Sequence, residues 1–499
     1  MTILHLARAA RHAIRPRLTF PLSRPLLIPI LFIVCSTIWY VPAPARWAMP
    51  VSAAAPTRYL HTDGARLEDA AGRNVRLTGV NWFGLETCAF APHGLWSRNW
   101  RAMMAQIQNL GFNTIRLPFS TQLLDSQSRP NGIDYTLNPD LKGLSGLQIM
   151  DRIVAEARVL GLKVIPDRHR PDCGAQSPLW YTDHYSEARW IADWVRLARR
   201  YAGNDAVIGA DLHNEPHGPA TWGDGNRATD WRLAAERAGN AILQVNPHWL
   251  IFVEGIEHLG TSDWYWQGGN LANARRYPVP LIVPHRLVYE AHDYGPEVWA
   301  QSWFSAANFP HNLPHLWDTH WGYLQEQGRA PVLVGEFGGK EVDRGKEGRW
   351  IHTLMAYIRA HGLSYTFWCL NPNSGDTGGL LADNWRTVNA AKMALLRTDL
   401  APLIGTPLRR PLSRATHPAH AAHMPRAAVT QRARGARTLR ALLARAPGTR
   451  TLAKTGDPAR GDGRVTVQLP SVNGIARGED DLSLILMAYG EAIGPPGRT

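Results

Sequence analysis

Two glutamates, Glu215 and Glu336, each close an apolar stretch of the chain. The stretch 207–212 leads to Glu215 and then to Pro216, which must end a strand because proline has no N–H to donate. The stretch 332–336 ends at Glu336, 121 residues later. Buried parallel strands have such apolar sequences, and barrel enzymes carry their catalytic groups at the carboxyl ends of the strands. Two carboxyl groups that meet across a cleft are what hydrolysis of a glycosidic bond requires.

This chemistry needs one neutral carboxyl, which protonates the leaving oxygen, and one ionised carboxylate, which attacks the anomeric carbon. We expect Arg116 to keep Glu336 ionised by its opposite charge, and Tyr294 to donate a further hydrogen bond. Glu215 then faces a neighbouring carboxylate, and this favours the protonated form that a general acid needs. Asn214 is placed to hydrogen-bond a 2-hydroxyl group of the substrate.

Other polar and aromatic residues follow the predicted strands. His169 and His292 lie at two predicted strand ends, and we favour a role in the site over that of ordinary buried histidines bonded to backbone. Trp368 closes the eighth apolar run and offers a flat face to a sugar ring. Trp96 and Trp266 offer similar faces further along a cleft, although Trp266 is nearly as well explained by packing.

The remaining charged residues near these positions are predicted to support the site without contacting the substrate. Glu254, at the fifth strand end, is expected to be structural. Asp167, Arg168 and Arg170 are interpreted as a salt-bridged network below the site. A His/Asp/Glu metal site is conceivable, but no close spacing of ligands in the sequence favours one, so no metal is predicted.

Eight apolar runs alternate with amphipathic stretches. The runs are 75–81, 113–118, 163–167, 207–215, 250–254, 287–292, 332–336 and 364–368. Helix-like segments lie between them at 100–110, 147–160, 187–201, 231–245 and 350–360, most of them followed by a glycine that stops a helix. Strand and helix repeated eight times predict an α/β fold, a (β/α)₈ TIM barrel, preceded by a short hairpin-like entry.

The two ends of the chain differ from its middle. The net charge of +13 is carried by the ends, since residues 1–47 contribute +6 and residues 408–499 contribute +9, leaving 48–407 slightly acidic. This distribution argues against nucleic-acid binding by the folded part. All tryptophans lie at or before Trp385, and the segment 407–499 contains no Trp, Phe or Cys.

Three segments are therefore predicted. Residues 1–55 combine a basic start, a 17-residue apolar run and small residues, and predict a secretory signal, with an uncleaved membrane anchor as the alternative. Residues 56–406 form the catalytic barrel. Residues 407–499 are a basic low-complexity tail that is expected to be mostly disordered, the alternative being a tail that binds polyanions or surfaces.

Export permits a disulfide. Without the leader, Cys88, Cys173 and Cys369 remain, so one thiol is left over. Cys88 and Cys173 each follow a predicted strand end and are the favoured pair, whereas Cys369 is expected to be a buried free thiol.

The chain resembles glycoside hydrolase family 5, and most closely its secreted bacterial endo-β-1,4-glucanases. The likeness covers about 57–400 and is carried by 79–84, 86–88, 93–98, 167–173, 211–217, 231–240 and 371–379. Residues 221–225 depart from it, because similar enzymes can carry a second cysteine pair there. Nothing in the family resembles the tail.

The resemblance implies that Glu215 is the acid/base and Glu336 the nucleophile. It also implies a Cys88–Cys173 disulfide, cleft roles for Trp96 and Gln301, and sugar-binding or site-shaping roles for Arg116, His169, Asn214, His292, Tyr294 and Trp368.

The resulting hypothesis is a secreted, retaining endo-β-1,4-glucanase that needs no metal or cofactor. Its expected partner is a β-1,4-glucan, with no nucleic acid, only transient membrane contact during export and a monomeric state. One alternative is a β-mannanase or another β-glycanase of the same clan. An alternative of another class is a non-catalytic carbohydrate-binding barrel.

Overall fold

A computed structural model describes residues 59–404, and the predicted leader 1–55 and tail 407–499 lie outside this range. Within the described part, none of the helices has both the length and the apolar character needed to cross a membrane.

Eight parallel strands close into a barrel in which each strand pairs with its neighbours in sequence, and the last pairs with the first. The strands are β1 Thr78–Asn81, β2 Thr114–Ser120, β3 Lys163–Arg170, β4 Gly209–Asp211, β5 Leu250–Glu254, β6 Leu287–His292, β7 Val332–Glu336 and β8 Ser364–Phe367. The predicted (β/α)₈ barrel is confirmed.

Helices surround this barrel. They are α1 Trp100–Asn109, α2 Gly146–Leu160, α3 Glu187–Arg200, α4 Trp231–Val245, α5 Leu313–Trp317, α6 Tyr323–Glu326, α7 Gly345–His361 and α8 Ala390–Arg397. Their ends follow local chemistry: Ser145 and Gln148 form a capping box at the start of α2, and Gly161, at φ 74°, ends it in the left-handed conformation.

The structure departs from a regular barrel between β5 and β6. Among the described residues this connection holds no helix, and instead carries a two-stranded hairpin of His258–Leu259 and Asp263–Trp264. The helical region before β7 was not predicted, because α5 and α6 are short and are joined by a π-helical turn at Asp318–Gly322. Short 3-10 turns occur at Thr121–Leu124, Pro139–Leu141 and Ser302–Ser305.

The barrel interior has an apolar lower layer and a charged upper layer. Side chains two residues apart on a strand share a face, so β5 places Phe252 below Glu254, and β6 places Val288 below Glu290, all of them fully buried. A small antiparallel sheet of His61–Asp63, Arg66–Glu68 and Asn74–Val75 precedes the barrel. Its Leu67 packs with the apolar layer. The large hydrophobic core lies between the strands and the helices.

Candidate active site

Arg116 on β2 lies at the centre of the charged layer and is fully buried. Its guanidinium donates hydrogen bonds to carboxylates on three other strands and to two amide oxygens. The partners and distances are Asp211 2.8 Å, Glu254 3.1 Å, Glu336 2.5 Å, Asn81 3.1 Å and Asn214 3.0 Å. Asp167 and Glu290 also lie within ion-pair distance, at 3.2 and 3.1 Å. One cation therefore faces five carboxyl groups.

Glu336 ends β7 and is nearly buried, with 3% of its surface exposed. Its Oε1 accepts from Nη1 of Arg116 at 2.5 Å, and its Oε2 accepts from the hydroxyl of Tyr294 at 2.7 Å. Donors to both oxygens fix the orientation of this carboxyl group.

Glu215 lies in the segment after β4, with φ 49° and 14% of its side chain exposed. The predicted run 207–215 is thus only partly strand, since β4 ends at Asp211. The backbone N–H of Glu215 donates to Glu254 Oε2 at 2.7 Å. The side-chain Oε2 of Glu215 accepts a hydrogen bond from Nε2 of Gln176 at 3.1 Å. A positive φ in a residue other than glycine is unfavourable and is typical of functional positions.

Burial is the main cause that raises the pKa of the Glu215 carboxyl, to about 7, while Gln176 and the positive charges nearby lower it. The sequence predicts that a neighbouring carboxylate causes this shift. That reason was wrong, because desolvation is the larger cause and the carboxylate that adds to it is Asp376. A carboxyl with a pKa near 7 keeps its proton over much of the neutral range, which suits a general acid.

The two glutamates meet at the carboxyl ends of the strands. One carboxyl oxygen of Glu215, one of Glu336 and a ring nitrogen of His292 all lie within 4.8 Å of one another. Nδ1 of His292 is 3.0 Å from Glu215 and 3.8 Å from Glu336. Glycosidases that retain anomeric configuration hold their two carboxyls about 5–5.5 Å apart, whereas inverting enzymes leave about 6.5–9.5 Å for a water molecule.

A stack of rings forms one wall beside this pair. The rings of His169 and Trp368 are parallel at 5.4 Å, and Phe83 stacks on Trp368 at 5.6 Å. Nδ1 of His169 is 2.6 Å from Asp167, and burial lowers the pKa of both His169 and His292 to about 3. Both imidazoles are therefore neutral at ordinary pH.

The sequence model of the family described as "Cellulase (glycosyl hydrolase family 5)" matches residues 69–374. The chain belongs to this family. It is a glycoside hydrolase with a catalytic barrel of the family 5 type.

Relatives of this family 5 hydrolase span most of the described barrel. The endoglucanase of Paenibacillus polymyxa is 55% identical over 360 residues, covering 71% of this chain and 91% of that protein. The major extracellular endoglucanase of Xanthomonas campestris pv. campestris is 47% identical over 358 residues, with 70% and 73% of the two chains covered.

Solved structures agree in fold. The catalytic domain of the Xanthomonas campestris enzyme has a TM-score of 0.66 at 46% identity, covering 68% of this chain and 99% of that one. An endocellulase of Pyrococcus horikoshii, solved with cellotetraose, has a TM-score of 0.65 at 44% identity, covering 69% of this chain and 99% of that one.

The three residues that the sequence predicts for the cleft of this family 5 hydrolase have different surroundings. Trp96 is 42% exposed and packs edge-on against Trp385. Trp266 is 8% exposed and lies edge-on to Tyr294, and its indole N–H has no hydrogen-bond partner among residues 59–404. Gln301 is half-buried and precedes the 3-10 turn Ser302–Ser305, whose Trp303 also packs against Trp266.

Asn214 is fully buried, and its Oδ1 accepts from Arg116, while its Nδ2 has no hydrogen-bond partner in the part of the chain that the structure describes. The predicted network of Asp167, Arg168 and Arg170 is corrected by the structure. Asp167 pairs with Arg116 and His169, whereas Arg168 contacts His213 and Thr121. The error arose because successive residues of a strand point to opposite faces.

Three further residues of this hydrolase contact the site but were not predicted from the sequence. Gln176 contacts Glu215 from the loop after β3, and Asp211 and Glu290 contact Arg116 inside the barrel. The pattern Asp211, Asn214, Glu215 could have indicated the first of the two acids, since residues near a strand end share the site. No feature of the sequence around Gln176 predicts its contact with Glu215, because only the fold brings the two residues together.

The disulfide between Cys88 and Cys173 is present and joins the segments after β1 and β3. Cys369 is a buried free thiol, as predicted.

Groups of carboxylates and histidines inside the barrel are close enough to hold a cation, for example Asp167, Asp211 and Glu254. The guanidinium of Arg116 already contacts each of these three carboxyls at 2.7–3.2 Å. A positively charged group at that position repels a metal ion, so we interpret the cluster as ion-paired and partly protonated.

Proposed function

We propose that the chain is a retaining endo-β-1,4-glucanase, a cellulase that cleaves internal bonds of β-1,4-glucans. The observation that carries the proposal is the pair Glu215 and Glu336, whose oxygens approach within 4.8 Å and whose surroundings differ. The endoglucanase relatives, and the cellotetraose bound in the Pyrococcus horikoshii enzyme, support a β-glucan as substrate.

In the first step, Glu336 attacks the anomeric carbon while Glu215 gives its proton to the departing glycosidic oxygen. The bond between the anomeric carbon and that oxygen breaks, and an ester bond to Glu336 forms. The hydrogen bonds from Arg116 and Tyr294 orient Glu336 before the attack. Because the pKa of Glu215 is raised to about 7, its carboxyl group still carries a proton to donate near neutral pH.

In the second step, the ionised Glu215 takes a proton from water as the water oxygen attacks the anomeric carbon. The ester bond to Glu336 breaks, and the sugar is released with its original anomeric configuration. The Asn214 amide and the ring of Trp368 are the groups we assign to the sugar's hydroxyl and C–H surfaces.

The test replaces each glutamate in the full chain. Glu336→Gln and Glu215→Gln should fold yet lose at least about a thousandfold in turnover of soluble cellulose derivatives, since each removes a group that acts in both steps. The matched control is Glu347→Gln, which changes a buried glutamate that contacts the backbone of Glu297 instead of the pair. Wild-type rates in either variant would refute the assignment.

The stereochemical arm uses azide and an activated cellobioside. Azide attacks the face opened by Glu336→Ala and should give the α-glycosyl azide, whereas Glu215→Ala should give the β-azide through the enzyme ester. For the wild type, NMR of the first product should show the β-anomer. An α-anomer formed first would mean inversion.

A second candidate is a β-mannanase or another β-glycanase, because the same two carboxyl groups can cleave equatorial β-linkages between other sugars. Release of reducing sugar from carboxymethyl cellulose, compared with release from mannan and xyloglucan, separates these activities. A faster rate on mannan would replace the glucanase proposal. An absence of turnover on all of them, with sugar binding retained, would favour the non-catalytic barrel.

We also propose that the protein acts outside the cytoplasm, as a monomer that needs no cofactor. Support comes from the basic, apolar start of the sequence and from the Xanthomonas campestris relative, whose name calls it extracellular. Mass spectrometry of the exported protein tests removal of the segment 1–55.

A further inference from the structure

Glu290 is a buried carboxyl beneath the catalytic pair. It lies on β6, two residues before His292, and pairs in register with Glu254 of β5. It is fully buried. A Cβ atom added to Gly335, the residue before Glu336, would lie 1.7 Å from Glu290 Oε1. Glycine at this position therefore provides the space that the Glu290 carboxyl occupies.

The contacts of Glu290 are unusual for a buried acid. Its Oε1 is 3.1 Å from Nε of Arg116 and 3.5 Å from Nε2 of His292. Glu254 Oε1 lies 3.6 Å from the same ring nitrogen but already accepts a hydrogen bond from Arg116. Neither oxygen of Glu290 has a hydrogen bond within the described part of the chain, and neither does Nε2 of His292. Buried polar atoms are rarely left unpaired. Two such groups facing each other at this distance can satisfy one another if one of them carries the proton.

Charge decides which group carries it. The ionisable groups that face Glu290 come from every neighbouring strand and are Arg116, Asp167, Asp211, Glu254, His292 and Glu336. Burial is the main cause that raises the pKa of Glu290 and Glu254 well above the usual range, and the other carboxylates raise it further. Burial keeps His292 neutral. Glu290 is therefore protonated and able to donate, and the neutral ring of His292 has one nitrogen without a proton that is able to accept.

We propose that Glu290 is a positioning residue that donates a hydrogen bond to Nε2 of His292 and so fixes the tautomer His292 presents to Glu215. With Nε2 as acceptor, the single proton of the neutral ring is on Nδ1, which lies 3.0 Å from Glu215 Oε1. The ring then donates to Glu215.

This donor changes the acid strength of Glu215. A hydrogen bond to the ionised form of a carboxyl stabilises it, so Glu215 gives up its proton more readily. The leaving oxygen receives that proton in the first step, and the resulting carboxylate keeps its partner. The catalytic part of this inference rests on the proposed function, whereas the tautomer of His292 is independent of it.

The first experiment measures the tautomer directly in the full-length protein. Ring ¹⁵N shifts of His292, assigned by comparison with His292→Asn, should show a protonated Nδ1 and an unprotonated Nε2 near neutral pH. Protonation at Nε2 instead would overturn the proposal, whatever the activity of the glutamate variants.

The second experiment compares two substitutions of Glu290. Glu290→Gln keeps an N–H that can point at Nε2, so the alkaline limb of kcat/KM should stay within about 0.3 pH units of the wild type. Glu290→Met removes the donor, and the limb should move up by about one unit with a roughly tenfold loss of kcat/KM, as expected for one hydrogen bond to a charged group.

Glu347→Met is the matched control, because Glu347 is also a buried carboxyl but contacts neither His292 nor Glu215. It should lower stability without moving the limb. Equal limbs in Glu290→Met and the wild type, or a shift in Glu290→Gln as large as in Glu290→Met, would overturn the proposal. If the Glu215 and Glu336 variants kept activity while the tautomer was as expected, the proposed function would fail and this inference would not.

Discussion

At the scale of single residues, the site separates two chemically identical side chains by their surroundings. Glu336 has a donor on each oxygen, one of them a guanidinium. Glu215 has a neutral histidine and a glutamine, and burial raises its pKa to about 7. The proposed mechanism, with one acid and one nucleophile, needs this asymmetry, because only different surroundings give two carboxyl groups different protonation states.

Gln176 offers a test of this asymmetry. Its Nε2 donates to Glu215 Oε2 and lowers the carboxyl's pKa. Activity should fall as the pH rises through about 7, because Glu215 gives up its proton in the first step of the proposed mechanism. Gln176→Ala should move this alkaline limb to higher pH in a profile of kcat/KM.

Gln327→Ala is the control, since Gln327 is exposed and its side chain contacts Arg329. A limb at the wild-type position in Gln176→Ala would show that Gln176 does not tune Glu215.

At the scale of elements, the segment after β6 is held by a buried acid. Asp293 lies between His292 and Tyr294 and accepts from the indoles of Trp317 on α5, at 2.9 Å, and Trp350 on α7, at 2.6 Å, and from Tyr265. Its backbone N–H donates to the carbonyl of Glu336 at 3.0 Å. Helices packed outside the barrel thereby position two residues of the site.

Replacing Asp293 with alanine should destabilise the fold by about 3 kcal/mol or more, because each of three buried donors loses its acceptor at a cost of about 1–3 kcal/mol. Urea unfolding at pH 7.5 measures this change. The exposed Asp183 gives the control Asp183→Ala, which should change stability by less than about 0.5 kcal/mol. A loss below 1 kcal/mol at Asp293 would contradict the anchoring role.

At the scale of the whole molecule, several buried carboxyl groups of the folded protein keep their protons at a pH at which exposed carboxyls are ionised. Burial is the main cause that raises the pKa of Asp167, Asp211, Glu86 and Glu347 to about 7, and it also raises the pKa of Glu254 and Glu290 well above the usual range. These groups bind protons in the folded state that the unfolded chain has lost above about pH 4–5. Stability is then lost as the pH rises towards the folded pKa values.

The free energy of unfolding should therefore be smaller at pH 8 than at pH 6.5. Each carboxyl that keeps its proton lowers stability by about 1.4 kcal/mol for every pH unit of increase. Buried histidines oppose this trend only below about pH 6.5, where the unfolded chain gains their protons. Denaturant titrations across this range test the expectation, and a rising free energy of unfolding from pH 6.5 to 8 would contradict it.

The described barrel contains every residue assigned to the site, between Asn81 and Asp376. A chain ending at residue 406 should therefore keep kcat/KM on soluble β-glucan within about twofold, since activity depends on the site. Product profiles on several β-glucans, with and without 407–499, measure this. A large loss on soluble substrate alone would mean that the tail takes part in catalysis.

The sequence alone determined the barrel and its catalytic candidates. The runs 250–254, 287–292 and 332–336 match β5, β6 and β7 residue for residue, because burial on both faces of a parallel strand requires continuous apolar residues. A glutamate at the end of such a run stands out against that composition. The helical region between β6 and β7 was missed, because short helices leave too few turns to show a period.

Only the tertiary structure decided how the charges are arranged. That Arg116 faces five carboxyls, that Gln176 reaches Glu215 and that Gly335 makes room for Glu290 all depend on distances between strands far apart in sequence. The pKa of Glu215 is raised mainly by burial, and not by the neighbouring carboxylate that the sequence predicts as the cause. Local pattern records which face of a strand a residue occupies, whereas protonation depends on everything that surrounds it in space.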